Sequence, residues 1–587
     1  MARFYSRYQV ALPQLIMGIL FGIVNSALAD GQADRPNVVL IMTDDQGHGD
    51  LGFHGNSKIR TPQLDDLAKQ SVRFDYFYVS PVCSATRASL MTGRYNYRTG
   101  VVDTYMGRSM MHTEEVTIAE MLGEAGYRTG IFGKWHLGDN HPMRPMDQGF
   151  DESLVHRGGG ITQAAGPPGD SYFDAVLEHN GQTVRSNGYC SDVFTDSAIR
   201  FIEQHRDRPF FVYLSFNCPH TPLQVPDQYV APYKRMNLAH EVFPAVGYPL
   251  IGEAEQDELA CVYGMVTNID DNLGRLLAQL DALELADNTI VIFLTDNGPQ
   301  QERYKSGLRG LKGQTYDGGI RVPCFVRWPA KFQAGRREER IAAHIDIAPT
   351  LLDACGVKKP ASVLFDGVNL MPVLAGIAGQ WPARTLFFQA HRGPEPEPFR
   401  AAAVREARYK LVLSPTAFGR RLKTPVVELF DMHADPYEQH DLTVERPNIV
   451  ARLKASYLAW LRDVGATRGY APPRIHLGTP HENPVILTRQ DWRGHGPGWG
   501  INGHWEVHVV NEGSFDLRLR FKEVGDPRSV HISLSGVTRE ASIAAGAAQH
   551  TFDAVTLPTG PGRLHAWIAH EDQNRGVEYV DVIRLGS

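Results

Sequence analysis

Cysteine is scarce in this chain, six residues in 587, and Cys83, Cys190, Cys218, Cys261, Cys324 and Cys355 stand far apart with no CxxC pair. That excludes a thiolate zinc site and a dense disulfide framework, and spacing alone leaves any pairing of the thiols open. Excess positive charge is missing too: 59 Lys and Arg stand against 66 Asp and Glu, a net charge of −7. The bulk field of such a chain does not attract polyanions, so no nucleic-acid partner is expected, and an anionic substrate would need a local basic pocket. Low-complexity tracts and internal repeats are absent. Beyond residues 1–29 no apolar run reaches the roughly 20 residues of a spanning helix, so no stable membrane insertion is expected.

What is present is a globular composition, 43% hydrophobic and 21% charged, on a chain long enough for two or three domains. Residues 1–29 read as a signal peptide: Arg3 and Arg7 form a basic start, Val10–Val24 is mostly apolar, and Ala27-Leu28-Ala29 offers a small-x-small cleavage site. An exported protein, periplasmic or secreted, is the expectation.

Over residues 36–360 strand and helix alternate. Asn37–Thr43 is a continuous apolar run, as a strand buried on both faces requires, and it ends in Asp44-Asp45. Thr61-Pro62 opens a helix with Leu64, Leu67, Ala68 and Val72 at helical spacing. Thr117–Glu124, Asp192–His205 and Glu255–Leu283 read as further helices. A strand near Thr129–Phe132 runs into Lys134 and His136, Phe210–Phe216 leads to Pro219-His220, and Thr289–Thr295 ends in Asp296-Asn297-Gly298. Each polar cluster follows the carboxyl end of a strand, where an open parallel α/β sheet binds its ligands.

Asp44, Asp45, Asp296 and Asn297 form a hard oxygen set suited to calcium, or to magnesium with more bound water. Singly, Asp-Asp and Asp-Asn-Gly are ordinary turns; two of them after apolar strands favour a metal. Lys134, His136, His220 and Lys312 add proton donors and positive charge. A lone lysine or histidine is usually a solvated or satisfied side chain, but these follow strands or lie in a glycine-rich loop.

Cys83-Ser84-Ala85-Thr86-Arg87 opens a helical run that sets Cys83 and Arg87 one turn apart on one face. This pentapeptide resembles the type I sulfatase signature, in which the cysteine becomes formylglycine. The resemblance extends to Thr43–Gly47, Thr61–Asp65, Gly133–Gly138, Asp296–Gly298, Leu308–Pro323 and Glu428–Leu442, in the family's order. It implies a formylglycine-dependent, arylsulfatase-like member of the alkaline-phosphatase-like superfamily. It also implies that Asp44, Asp45, Asp296, Asn297 and the modified Cys83 bind one calcium ion. Arg87 would hold the formylglycine, Lys134 and Lys312 the sulfate oxygens. His136 would act on the formylglycine hydroxyl, and His220, with Lys312, on the leaving oxygen. Many members have proline third and serine fourth, where this chain has Ala85 and Thr86. A formylglycine-generating enzyme is the implied maturation partner, and a sulfated glycan or small sulfate ester the substrate.

The expected fold class is α/β: a large mixed, mostly parallel sheet flanked by helices over 34–375, then a small antiparallel-sheet subdomain over 380–470. An added all-β, sandwich-like domain is expected over 475–587, where Trp505, Val507 and Val509 alternate, as do Phe515, Leu517 and Leu519. Asn511–Ser514 reads as the turn between them. Trp492, Trp499, Trp505 and Trp567 lie there, with core packing favoured over a sugar-stacking surface. His391-Arg392 lies in a Gly/Pro-rich loop, equally suited to substrate contact and to solvent. Val101–Met111 and Gly158–Asp170 are the expected pocket walls. Two further readings stand beside the sulfatase: a formylglycine-dependent phosphodiesterase or phosphonate monoester hydrolase, and a non-catalytic glycan-binding protein.

Overall fold

The structure, a computed structural model, describes residues 35–586 apart from 253–254, 378, 380, 495–501 and 571–572. The segment 1–29 and Trp499 lie outside the described residues. Among those described, no helix is long and apolar enough to cross a membrane.

A ten-stranded mixed sheet organises the first half of the chain. Its centre is five parallel strands, in the order Thr289–Thr295, Asn37–Thr43, Phe210–Ser215, Arg128–Lys134 and Glu152–His156. Antiparallel strands flank it: Cys324–Arg327 on one side and the hairpin Val176–His179/Gln182–Arg185 on the other. Asn37–Thr43 is buried at every position because its residues feed two cores. Val38, Leu40 and Met42 enter one, Val39 and Ile41 the other.

The helices fall close to where periodicity sets them: Pro62–Gln70, Ile118–Glu124, Cys190–His205 and Gln256–Ala282. Thr117 closes a capping box with Glu120. Thr61 occupies its N-cap without capping; its hydroxyl donates to Asp65 instead, at 3.0 Å.

Strands Leu386–Gln389, Ala402–Arg405, Tyr409–Leu413 and Val427–Asp431 form an antiparallel sheet that shares a core with the helix Pro447–Gly465. Beyond residue 474 two β-sheets face one another, the sandwich that alternation foretold. Gly513 and Ser514 belong to the strand Gly513–Arg520 rather than to a turn. Trp492 and Trp505 are core residues, while Trp567 is half-buried against the ring of His531. The sandwich core also takes in Met106, Met110 and Met143, which come from the first half of the chain. All six cysteines are free thiols.

Candidate active site

Four parallel strands deliver charged residues past their carboxyl ends: Asp44-Asp45, Lys134 with His136, His220, and Asp296-Asn297. The backbone turns sharply there, with Asp45 at φ +63 and His136 at φ +61. For a non-glycine residue that conformation costs about 1–2 kcal/mol, and such strain collects at working sites. At Gly298 an added Cβ would meet Gly318 O at 1.9 Å, so only glycine lets the loop bearing Lys312 close over the strand end.

Cys83 is the first residue of the helix Cys83–Thr92, which has no side-chain cap and no acid in its first turn. Bare N–H groups therefore favour negative charge beside it. Thr86 Oγ1 donates to Asp296 O at 2.7 Å and ties the helix to the neighbouring strand end. Arg87 is fully buried. It donates to Asp296 Oδ2 at 2.8 Å, to the Lys134 carbonyl at 3.1 Å and to Ser215 Oγ.

Lys134 Nζ pairs with Asp44 Oδ2 and Lys312 Nζ with Asp45 Oδ1 at 2.6 Å. Asn297 Nδ2 donates to Asp45 Oδ1 at 2.8 Å. After these contacts Asp44 Oδ1, Asp45 Oδ2 and Asn297 Oδ1 remain buried without a hydrogen-bond partner. Ligand atoms of Asp44, Cys83 and Asp296 lie within 4.8 Å of one another, as do those of Asp44, Asp45 and His220. A bare buried oxygen costs about 1–3 kcal/mol, and a hard divalent cation satisfies several at once. The donor set therefore fits a calcium-type ion, better once the sulfur of Cys83 gives way to oxygen.

The charges pull the acids apart. Burial would raise the Asp44 carboxyl, yet Lys134, His220 and Arg87 hold it well below its usual range. Asp296 is pushed up to about 7 by burial and by Asp44, against Arg87. Burial raises the Cys83 thiol and lowers His136 and His220. A cation among these oxygens would draw Asp296 back to its charged form.

Hydrogen bonds assign the histidine tautomers. His136 Nε2–H donates to Thr104 O at 2.7 Å, which leaves Nδ1 as the acceptor facing Cys83 Sγ at 3.4 Å. His220 Nδ1–H donates to Thr221 O at 2.6 Å, leaving Nε2 at 3.8 Å from Asp45 Oδ2.

Cys83, His136, His220 and Lys312 open into a cavity of about 760 Å³. Thr104, Tyr105, Gln163, Arg392 and Phe418 form walls, so both anticipated loops contribute. Arg392 reaches it, whereas His391 is buried. Residues 36–357 match the family model described as Sulfatase, and residues 311–460 the model described as N-sulphoglucosamine sulphohydrolase, C-terminal. The chain belongs to the sulfatase family.

This sulfatase is 33% identical to arylsulfatase A of Homo sapiens over 516 residues, covering 78% of its own length and 94% of the relative's. It is 30% identical to N-acetylgalactosamine-6-sulfatase of Canis lupus familiaris over 391 residues, covering 61% and 69%. Among solved structures, that of Ps i-CgsB in complex with k-i-k-neocarrahexaose matches with TM-score 0.63 and 28% identity, over 74% of this chain and 95% of the other.

The ten residues singled out as metal ligands or catalytic groups, Asp44, Asp45, Cys83, Arg87, Lys134, His136, His220, Asp296, Asn297 and Lys312, lie in this one cluster. Three neighbours had no readable signal. Ser215 ends a strand as an ordinary hydroxyl. Arg489 and Tyr579 come from the β-sandwich, yet line the sulfatase cavity.

Proposed function

We propose that this sulfatase hydrolyses sulfate esters on carbohydrates, using Cys83 converted to formylglycine and one bound calcium ion. The observation that carries the proposal is the convergence of the unpartnered Asp44, Asp45 and Asn297 oxygens beside Cys83 at the floor of the cavity. Formylglycine supplies a hydrated aldehyde as the oxygen nucleophile, and calcium supplies charge neutralisation. Asp44, Asp45, Asp296 and Asn297 would hold the ion.

The chain's own groups do the rest. Arg87 locks Asp296 into the cluster. Lys134 and Lys312 place two ammonium groups where sulfate oxygens gather charge. His136 Nδ1 is the acceptor for a proton from the group at position 83, its orientation held by Thr104 O. His220 holds its Nδ1–H on Thr221 O, so it gives a proton to the departing alcohol from Nε2 only as the imidazolium, the form that the neighbouring Asp44 and Asp45 carboxylates favour against its burial. The aromatic rings of Tyr105 and Phe418, with Gln163 and Arg392 among them, suit a sugar.

Export follows from the features of residues 1–29, with conversion of Cys83 by a formylglycine-generating enzyme. The units 34–375, 380–470 and 475–587 belong to the same proposal. The test is the intact mass of the Cys83 peptide and the calcium content of protein from its native host, with turnover on a sulfated-sugar panel. Full activity with an unconverted thiol would sink it. Relative turnover of matched aryl sulfate and aryl phosphate diesters separates it from a phosphodiesterase.

A further inference from the structure

Arg489 differs from the other strong cations of the cavity. Lys312 is paired with Asp45, and Arg392 with Asp103 at 2.8 Å. Arg489, only 9% exposed, has no ion-pair partner among the described residues. Its Nε donates to Val577 O at 2.9 Å and its Nη2 to Gly576 O at 2.7 Å, so two carbonyls fix the guanidinium, while Glu578, which lines the same cavity, acts on its charge without forming an ion pair. A buried cation with no direct ion pair is costly, and an incoming anion lowers that cost.

The surroundings are built for position. The next residue, Gln490, donates to Thr104 O at 2.9 Å, the same carbonyl that orients His136, and to Ser109 Oγ at 3.1 Å. Gln490 O accepts from Gly107 N at 2.8 Å. Tyr579 donates its hydroxyl to Gly166 O at 2.7 Å, bracing the other cavity loop. Arg489 is thus held in register with the catalytic floor. It also lines an adjoining pocket of about 100 Å³, where Arg528, Arg575 and Lys522 accompany it against Glu523 and Glu578. The matched family models end at residue 460, so none of this wall is accounted for by them.

We propose that the β-sandwich supplies a second anion subsite, in which Arg489 binds a sulfate or carboxylate on the sugar residue next to the one carrying the ester to be cleaved. The substrate class is therefore a glycan with anionic groups on adjacent residues. A planar, forked guanidinium with free donors matches either oxyanion. The proposal rests on the carbohydrate reading above.

The test uses the full-length protein and inhibition of aryl sulfate hydrolysis by matched disaccharides. One is monosulfated, one carries a second sulfate on the neighbouring residue, and one carries a uronate carboxylate there. The wild type should be inhibited about ten-fold more tightly by at least one doubly anionic member than by the monosulfated one, and which member identifies the anion. In Arg489→Gln that preference should shrink to within about two-fold, and Arg489→Lys should recover part of it. A wild-type preference that survives in Arg489→Gln overturns the subsite alone, as does the absence of preference among disaccharides that inhibit. No inhibition by any disaccharide overturns the carbohydrate reading, and the subsite with it. Direct titration of the disaccharides into Cys83→Ala, with and without Arg489→Gln, reads the same preference without turnover and must agree.

Discussion

The floor and the rim of the cavity are built on opposite principles. At the floor Asp44, Asp45, Asp296, Lys134, Lys312 and Arg87 are buried and cross-paired, and all but Lys312, which a glycine-rich loop carries, stand at the end of a strand or in the first turns of a helix. At the rim, Arg489, Gln490 and Tyr579 come from a unit whose core is its own apart from three methionines. The floor makes a charge cluster that would bind an ion and a sulfate in many contexts. Under the proposal above, the rim would select which molecule carries that sulfate. Under that proposal chemistry and recognition sit on separate stretches of chain, joined at the cavity by hydrogen bonds to Thr104, Gly107, Ser109 and Gly166 and beyond it by Glu482 and Ile486 against Asn140 and Arg157.

The sharpest break in that comparison is at the floor. Cys83→Ala should lower kcat on an aryl sulfate by more than about 10⁴-fold. Its thermal midpoint should remain near that of the wild type; substantial residual turnover would remove Cys83 from its role. Chelation of bound metal should cost about 10²-fold in activity. It should also lower the thermal midpoint by about 2–4 °C, with calcium restoring both; a midpoint indifferent to calcium would argue against the oxygen cluster as its site.

Rim changes should be milder, unless the rim is removed whole. A chain ending at residue 474 would uncover Met106, Met110 and Met143, each worth about 1.5–3 kcal/mol of burial, and should aggregate or unfold at lower urea. A stable, fully active truncation would show the two regions to be independent. Gln490→Ala removes a bond to the carbonyl that orients His136, so kcat should fall about ten-fold with KM less affected. An equal change in both would mean that Gln490 only supports the wall. Tyr579→Phe loses one hydroxyl bond to Gly166 and should raise KM about two- to three-fold on a glycan substrate.

Much of the floor was legible because burial leaves a strong mark on sequence. Asn37–Thr43 and Thr289–Thr295 are the observed strands to the residue, since a strand covered on both faces must be apolar throughout and the first acid ends it. The sandwich strands Gly503–Val509 and Gly513–Arg520 followed from period-two alternation. The rim was not legible. Arg489 looks like any polar residue between strands, and alternation says which face of a strand is buried without saying what the finished sandwich docks against.

Two further points needed coordinates. The free state of all six thiols depends on distances that spacing does not encode. The histidine tautomers depend on carbonyls of Thr104 and Thr221 presented by loops.

By itself the sequence determined the strands, the acids, lysines and histidines at their ends, and the cysteine that opens a helix beside them, because each is a local pattern of burial or charge. Only the tertiary structure decided that the C-terminal β-sandwich walls the cavity and sets Arg489 there with no ion-pair partner among the described residues. That outcome is set by the docking of two separately patterned surfaces, and no local pattern carries it.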